Sequence, residues 1–360
     1  LLQGPNNDFD IDLFEANDQN RVVLELQGES NNSYTRTSTS IPRFYRIVMN
    51  KGLDTTNSFT FFNNFDLLGP TNTAEKSLEL RHGTLVFDDD PLIFVELSTG
   101  GGDFVVENGA AFKIKEGFVQ MTTSDFVLDG KLEISNGGSL IMLDDGSDLI
   151  YTSSGGSELI IKGDIGAPSL TVTGQFRRGL LDESGYVKYY QSGGIARFGS
   201  LNTVPEISRG VFEIGGPLSS YERTGGDLII SSGNGSTTVG ALDIREPGVF
   251  TEASTTQITI EDFSGVNVGI YSTETLNNLE ILNGNAELIG VDLQANNVTI
   301  RAGSSLDGNN LDIDIYQSWT NDVGVAGFDA GGTDALFTTA GNIVTMTGDT
   351  DFNNFSNLSS

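Results

Sequence analysis

Short runs of alternating apolar and polar residues fill this sequence. Examples are "LEL", "FKI", "LEI", "LTV" and "ITI", and glycine, asparagine, aspartate or serine bounds such runs. Alternation of this kind predicts β-strands with one buried face, and the bounding residues predict turns. No window shows the i, i+3, i+4, i+7 apolar spacing of an amphipathic helix. The pattern therefore predicts an all-β protein.

The runs begin at regular intervals of about eight residues between positions 104 and 159, which is typical of a sandwich, a barrel or a β-solenoid. The apolar residues that begin them are Phe104, Phe112, Phe118, Phe126, Leu132, Leu140, Leu149 and Leu159.

A motif that recurs along the chain favours the solenoid. Four segments, "LELRHGTLVF", "FVVENGAAFKI", "LEISNGGSLIM" and "LEILNGNAELI", read apolar-x-apolar, then His-Gly or Asn-Gly, then apolar-x-apolar. The second begins at Phe104 and the third at Leu132, an offset that fits one coil with a loop insertion. We therefore predict a right-handed parallel β-helix with coils of about 20 to 28 residues. Tandem antiparallel β-sandwiches are the alternative, because alternating faces suit them too.

The regularity of the runs divides the chain into three parts. Residues 1–70 are less regular and include the surface loop "SNNSYTRTSTS". Residues 71–300 form the predicted parallel β-helix. Residues 301–360 begin a β repeat containing Trp-x-Asn that continues the solenoid.

Pairs of asparagines stand between apolar residues at positions 62–65, 276–279, 295–298 and 352–355. Asparagine tolerates left-handed backbone conformations and bonds to its own backbone in turns. Asparagines stacked on successive coils can also bond to one another as ladders. We expect these pairs to turn corners while their apolar neighbours point inward, and plain turn residues without a ladder are the alternative. His82 occupies the place of Asn108 and Asn136 in the repeated motif, and histidine is among the residues enriched at positive φ, which predicts a turn role at positive φ.

The chain is strongly acidic, with 49 acidic and 19 basic residues and a net charge of −30. Such a surface repels nucleic acid and anionic lipid headgroups, so we predict neither as a partner. Cysteine is absent, and no apolar stretch approaches the ~18 residues of a membrane span. The sequence begins with leucine and ends "FNNFSNLSS". We expect it to be a fragment of a larger protein.

Candidate chemistry is sparse. His82 is the only histidine and no Gly-x-Ser-x-Gly elbow is present, which disfavours a Ser–His–Asp triad. Paired carboxylates are the better enzymatic candidates: Asp88–Asp90, "DDGSD" at Asp144–Asp148, and "DIDI" at Asp312–Ile315. Asp312 and Asp314 would lie about 7 Å apart on one strand face, within the range for glycoside hydrolysis. An outward polar face alternating with inward isoleucines explains them equally well.

Neither calcium nor sugar has a specific signal. "DDGSD" lacks the twelve-residue frame and the closing glutamate of an EF-hand loop. Trp319 could stack on a sugar if exposed, but a core position is the favoured interpretation. We therefore predict no catalytic, cofactor-binding or metal-binding residue.

The C-terminal part resembles a repeat found in very large surface proteins of Bacteroidetes. In that repeat a Trp-x-Asn strand is followed by a Gly-Phe segment, a "TVTFTG" strand and a "TTFNNL" strand; here "NIVTM" departs from the third element. Segments starting at Lys76 and Ser208 are also similar to parts of those proteins. The matching positions are Trp319, Asn321, Gly327, Phe328, Val344, Gly348, Phe352, Asn353 and Asn354.

The resemblance implies a long, adhesin-like polypeptide at the cell surface or secreted, exported by the type IX pathway and linked to surface attachment or gliding. We therefore expect a non-enzymatic structural segment, a stiff stalk or a display surface. Its expected partners are the rest of the parent polypeptide and secretion or outer-membrane surface machinery, or glycans. The alternatives are a polysaccharide-acting β-helix enzyme and a carbohydrate-binding module.

Overall fold

The structure is a computed structural model. It describes residues 23–35, 41, 43–68, 76–88, 94–98, 102–122, 124–143, 146–152, 156–179, 185–199, 206–262, 264–332, 334–339 and 344–359. These residues are almost entirely strand and turn; their single helical element is a 3-10 turn at Val325–Gly327. The all-β prediction is confirmed.

The described residues form 33 strands. In chain order they are β1 (Val23–Gln27), β2 (Asn32–Tyr34), β3 (Arg43–Phe44), β4 (Arg46–Asn50), β5 (Ser58–Phe61), β6 (Asp66–Leu68), β7 (Leu78–Phe87), β8 (Phe94–Ser98), β9 (Phe104–Val106), β10 (Ala110–Ile114), β11 (Phe118–Met121), β12 (Phe126–Leu128), β13 (Lys131–Ser135), β14 (Ser139–Met142), β15 (Leu149–Tyr151), β16 (Ser157–Lys162), β17 (Ser169–Val172), β18 (Phe176–Arg178), β19 (Val187–Phe198), β20 (Phe212–Gly215), β21 (Ser220–Ile230), β22 (Leu242–Arg245), β23 (Val249–Glu252), β24 (Gln257–Glu261), β25 (Val268–Ser272), β26 (Leu276–Leu288), β27 (Leu293–Ile300), β28 (Ser304–Asp307), β29 (Ile313–Asn321), β30 (Phe328–Asp329), β31 (Asp334–Thr339), β32 (Thr345–Thr347) and β33 (Asn354–Ser359).

The strands pair in three ladders, and the chain passes through ladders 1, 2 and 3 in turn; we term one such passage a round. Strands β7, β19, β21, β26, β27 and β29 bend at corners and belong to more than one ladder. Ladder 1 contains β1, β4, β7, β9, β12, β15, β18, β20, β22, β25, β26, β28 and β30. Ladder 2 contains β2, β5, β7, β10, β13, β16, β19, β21 and β23, and then β26, β27, β29, β31 and β33. Ladder 3 contains β3, β6, β8, β11, β14, β17, β19, β21, β24, β26, β27, β29 and β32.

Every pairing found between the described strands is parallel. The large parallel sheet is thus confirmed, and the antiparallel pairs that tandem sandwiches need do not occur among these strands. Ile270 pairs with Leu288, 18 positions later, whereas Phe176 pairs with Phe212, 36 positions later. Round length therefore varies more than we predicted, because the connections between ladders differ in length.

The offset between the second and third motif copies is not one round, and that interpretation was wrong. Phe104 pairs with Phe126 of the following round, and Leu132 pairs with Phe112 of ladder 2. The motif recurs because the same bend serves all three corners. His82-Gly83 and Asn108-Gly109 turn from ladder 1 to ladder 2, Asn136-Gly137 from ladder 2 to ladder 3, and Asn283-Gly284 from ladder 3 to ladder 1.

The second residue of each bend supplies the left-handed conformation. Gly83 has φ 92° and Gly109 has φ 89°, whereas His82 is not at positive φ. Glycine lacks the Cβ that makes this region unfavourable, so His82 and Asn108 need not adopt it, whereas Asn136 does so as well as Gly137 (φ 52° and 87°). His82 is therefore a turn residue, as predicted, but the conformational reason we gave for it was wrong.

The core is one continuous cluster of buried apolar side chains from Leu26 to Phe337. Aromatic rings stack along it, as in Tyr189 on Tyr221 (5.5 Å between centroids, 16° between planes) and Tyr221 on Phe250 (4.9 Å, 6°). Burial of each such side chain contributes about 1.5 to 3 kcal/mol. The ladders continue past residues 70 and 300, and the boundaries we placed there stay predictions.

Two of the asparagine pairs form a ladder. Leu276 pairs with Ala295 and Leu279 with Val298, and all four side chains are buried. Between these inward residues, Asn296 Nδ2 donates to Asn277 Oδ1 and Asn297 Nδ2 donates to Asn278 Oδ1, each at 2.8 Å. The pair at 352–355 differs, because Asn354 Nδ2 donates to Asp334 Oδ1 instead.

Candidate functional site

His82 lies at a corner and has no acidic or basic hydrogen-bond partner among the described residues that would activate it. Its Nδ1 is 3.0 Å from Asn50 Oδ1, and Asn50 is its register partner one round earlier. The ring also lies against Gly109 of the following round. Within the described ranges no group of three histidine or acidic side chains is placed to hold a metal ion.

Two of the predicted carboxylates, Asp88 and Asp148, form ion pairs, and Asp148 also bonds to the backbone. Lys115 Nζ lies 2.5 Å from Asp88 Oδ2. Asp148 Oδ1 accepts from the Gln175 amide at 2.7 Å, and Asp148 Oδ2 accepts from Arg177 Nε at 2.7 Å. The remaining members, Asp89, Asp90, Asp144 and Asp145, lie outside the described residues.

Of the two "DIDI" carboxylates, Asp312 bonds to the following round. Asp312 Oδ1 accepts from the Asp334 amide at 3.1 Å, while Ile313 and Ile315 are fully buried. Burial, together with the carboxylates of Asp292 and Asp312, raises the pKa of Asp314. The outward polar face with inward isoleucines is the arrangement observed.

Trp319 is a core residue and offers no face to a sugar. Its side chain is fully buried, with its ring centroid 5.1 Å from that of Phe328 and 5.4 Å from that of Phe352. The indole N–H donates to Thr350 Oγ1 at 3.1 Å.

Asn321 explains the spacing of the Trp-x-Asn motif. Its Nδ2 donates to the carbonyls of Gly324 and Asp349, and its Oδ1 accepts from the Val323 amide. The side chain thus joins the bend after β29 to the chain of the next round, while Trp319, two residues earlier, points into the core.

The structure reveals a charged cluster that the sequence had not indicated. It lies on the outer face of ladder 1, on β18, β20 and β22. Glu213 pairs directly with Asp243 of the next round, and each alternates with fully buried inward residues. Two carboxylates in direct cross-strand contact repel each other, so cations must accompany them.

Arginines supply that compensation. Arg178 Nε donates to Glu213 Oε1 at 2.7 Å, and Arg209 Nη1 lies 3.4 Å from the same oxygen. Arg245 Nε donates to Asp243 Oδ1 at 2.6 Å, and its guanidinium lies 4.1 Å above the Tyr271 ring. The carboxylates of Glu213 and Asp243 are only 4% and 2% exposed. Burial raises the pKa of Asp243, against the opposing effect of Arg245.

Residues 206–210 cover this cluster. A Cβ at Gly210 would lie 3.0 Å from the Asp243 Cβ and 3.3 Å from the Glu213 Cβ, so glycine allows a close approach that a larger residue would make only by displacing these neighbours. The Gln175 side-chain amide donates to three carbonyls of the covering segment, those of Glu206, Arg209 and Gly210. The two carboxylates are therefore shielded from solvent, and Glu213 Oε2 is buried without a hydrogen-bond partner among the described residues.

A second charged group lies inside the core. The Arg223 side chain is fully buried and forms an ion pair with Glu252, whose side chain is 3% exposed. Five hydrogen bonds use its guanidinium; the acceptors are Gln191 Oε1, Tyr221 Oη, Glu252 Oε1 and the carbonyls of Gly226 and Gln257. Glu252 also accepts from Tyr221 Oη at 2.8 Å and from the Asn277 amide at 2.8 Å. This network ties together four successive rounds, from Gln191 to Asn277.

One cavity of about 430 Å³ opens on the surface among the described residues. Glu116, Phe118, Asn136 and Ser139 line it together with two glycines. Ser139 Oγ is 2.7 Å from Ser169 Oγ of the next round. The cavity offers a carboxylate, an amide and a hydroxyl beside an aromatic ring, which are kinds of group that line small-molecule pockets in proteins.

No protein-family model matches the chain, and neither a curated protein nor a solved structure matches it. No helix in the described residues is long and apolar enough to cross a membrane.

Proposed function

We propose that this chain is a right-handed parallel β-helix that serves as a stiff, non-enzymatic segment of a very large secreted or cell-surface protein. The observation that carries the proposal is the continuity of ladders 1 and 3, in which parallel strands stack from β1 to β30 and from β3 to β32 around one core. Thirteen strands spaced about 4.8 Å apart extend roughly 60 Å along such an axis.

The pairing of buried carboxylates with arginines of the same chain supports a structural role. Glu213, Asp243 and Glu252 are each paired with arginine and buried. A catalytic acid or base has to reach its substrate, and these groups reach only other parts of the chain. Their arrangement suits the joining of successive rounds.

The resemblance to giant Bacteroidetes surface proteins supports the wider setting. The contacts of Trp319 and Asn321 give the residues of that repeat a shared physical purpose, since they fasten one round to the next. On this basis we propose a cell-surface or extracellular location and export by the type IX pathway. The proposed partners are the parent polypeptide and surface machinery, or glycans.

Single-molecule pulling through the two ends tests the mechanical role. A stack whose rounds contact only their neighbours can unravel from its ends. One round, whose length the register gives, then releases about 60 to 120 Å of extended chain. We expect successive releases of this size or small multiples of it. Release of the whole length in two or three domain-sized events would contradict the proposal.

The cavity beside Phe118 and Asn136 favours one alternative, a glycan-binding or glycan-cleaving protein. Incubation with a panel of polysaccharides, with and without calcium, separates the two. We expect no cleavage products. The appearance of reducing or unsaturated ends would replace the structural proposal with an enzymatic one.

A further inference from the structure

The surface cavity lies where the chain turns from ladder 2 into ladder 3, and the register explains its position. Along the outward column that begins ladder 3, Phe118 pairs with Ser139, Ser139 with Ser169, and Ser169 with Ile195. Two small side chains thus stand between two large ones. Strands lie about 4.8 Å apart, so the three steps from Phe118 to Ile195 span roughly 14 Å. The cavity of about 430 Å³ occupies the Phe118 end of this trough.

The polar groups that line the cavity are free to bind a ligand. No hydrogen bond or ion pair joins the side chain of Glu116 or of Asn136 to another described residue. The hydroxyls of Ser139 and Ser169 bond to each other at 2.7 Å. Since a hydroxyl is one donor and two acceptors, this pair keeps one O–H and several lone pairs for a ligand.

The backbone holds the Asn136 corner in place before any ligand arrives. Asn136 and Gly137 both have left-handed conformations, at φ 52° and 87°. The Gly138 amide then donates to the Ser135 carbonyl at 2.8 Å, and a Cβ at Gly138 would lie 2.7 Å from the Ile114 carbonyl oxygen. The corner therefore packs closely on the previous round. A preformed site of this kind avoids the entropic cost of ordering a loop on binding.

The lining favours an uncharged sugar. A pyranose ring has apolar C–H faces and a rim of hydroxyls, so it can contact Phe118 while it bonds to Glu116 and Asn136. An apolar ligand would leave these polar groups without partners, which is unfavourable. An anionic ligand would meet the Glu116 carboxylate and the net charge of −30. An organic cation suits the carboxylate and the ring, but it makes no use of the amide and the hydroxyls.

We propose that this cavity binds one sugar unit of a neutral polysaccharide and does not cleave it. The Phe118 ring packs against a face of the sugar, Asn136 and Ser139 exchange hydrogen bonds with its hydroxyls, and Glu116 accepts another. The volume lies within the range of about 300 to 1,000 Å³ for small-molecule pockets. Glu116 is the one acid among the six lining residues, whereas glycoside hydrolysis uses a pair.

The inference specifies one of the partners proposed above and does not rest on the mechanical role. Pulling tests the stiff segment and ligand binding tests the cavity, so either proposal can fail while the other stands.

Isothermal titration calorimetry with hexasaccharides of glucose, xylose and mannose is the test. A galacturonate hexasaccharide is the control for an anionic ligand, and tetramethylammonium is the control for an organic cation. We expect at least one neutral hexasaccharide to bind more tightly than either ion. The absence of binding by every neutral sugar would overturn the proposal. Binding of either ion as tightly as the best neutral sugar would also overturn it.

Three variants locate the binding. Phe118→Leu keeps an apolar side chain but removes the ring, and should weaken binding about two- to ten-fold. Asn136→Gly suits the left-handed backbone and removes the amide, and should weaken binding by a similar factor of about two to ten. Ser139→Phe places a ring in the trough and should abolish binding. Asn108→Gly is the matched control, because it removes the corresponding asparagine at the corner between ladders 1 and 2, and it should leave binding unchanged.

Circular dichroism and thermal melts establish that each variant keeps the fold. Binding by all three cavity variants as tight as that of the unmodified protein would place the sugar elsewhere and overturn the proposal. An equal loss in Asn108→Gly and Asn136→Gly would also overturn it, because the effect would then come from the corners in general and not from the cavity.

Discussion

Replacement of Arg223 by methionine tests whether the buried network holds successive rounds together. Methionine keeps an unbranched apolar stem but removes the cation and five hydrogen bonds. Removal of one partner from a buried ion pair costs about 3 to 5 kcal/mol. Glu252 keeps its bonds to Tyr221 and to the Asn277 amide, so we expect about 3 kcal/mol, the lower end of the range.

A second substitution separates the buried charge from the lost packing. Arg223→Met combined with Glu252→Leu leaves no unpaired charge in the core, so we expect it to recover about 2 kcal/mol relative to the single variant. Lys188→Met is the matched control, because the Lys188–Glu158 pair is largely exposed. Loss of that pair should cost less than about 1 kcal/mol.

Guanidinium denaturation combined with hydrogen exchange is the assay, because a stack of rounds need not unfold in one step. Exchange should quicken mainly in β19, β21 and β23. The reasoning fails if Arg223→Met costs no more than Lys188→Met. It also fails if the double variant is as unstable as the single one, since the unpaired carboxylate would then not be the cause.

Two further predictions concern pH and one concerns backbone geometry. Burial raises the pKa of Asp125 to about 6, so the folded state favours the neutral carboxyl. The free energy of unfolding is therefore highest below pH 4 and falls as the pH rises through 6. Asp125→Asn should therefore stabilise the protein at pH 8 by on the order of 1 kcal/mol, after allowance for partial exposure, and have no effect at pH 3; thermal melts across this range measure it. Burial opposes ionisation of Glu133, but its lysine partners outweigh it and lower the pKa to about 2, so its contribution is present above pH 4.5 and lost as pH falls through 2. Glu133→Gln should cost about 1 kcal/mol at pH 7 and nothing at pH 2, and an equal loss at both would refute this assignment. Gly348→Ala would place a Cβ 1.9 Å from a carbonyl oxygen at φ 88°, whereas Gly303→Ala meets nothing within 4 Å at φ 90°. Both carry backbone strain of about 1 kcal/mol, so denaturation should show a larger loss for Gly348→Ala, and equal losses would exclude the contact as the cause.

Much of the local structure could be predicted from the sequence. Runs such as those beginning at Phe112, Phe126 and Leu140 are strands, because an alternating pattern needs no distant partner to bury one face. The bends could be predicted for the same reason, since a glycine at positive φ is a local requirement. The inward isoleucines of "DIDI" and the core position of Trp319 follow from polarity and size alone.

Register could not be predicted, and the candidate site depends on it. The Asn-Gly motif serves all three corners and the rounds differ twofold in length, so similarity between two segments does not make them neighbours. Glu213 and Asp243 are distant in the sequence and become a charged cluster only because their strands pair.

The sequence alone therefore determined the strands, their bends and the acidic surface, each of which depends on residues close together in the chain. The tertiary structure alone decided which strands stack and which charges are buried. These features depend on the lengths of the connections between ladders, because those lengths decide which distant strands become neighbours. A pattern of a few residues does not show which strands these are.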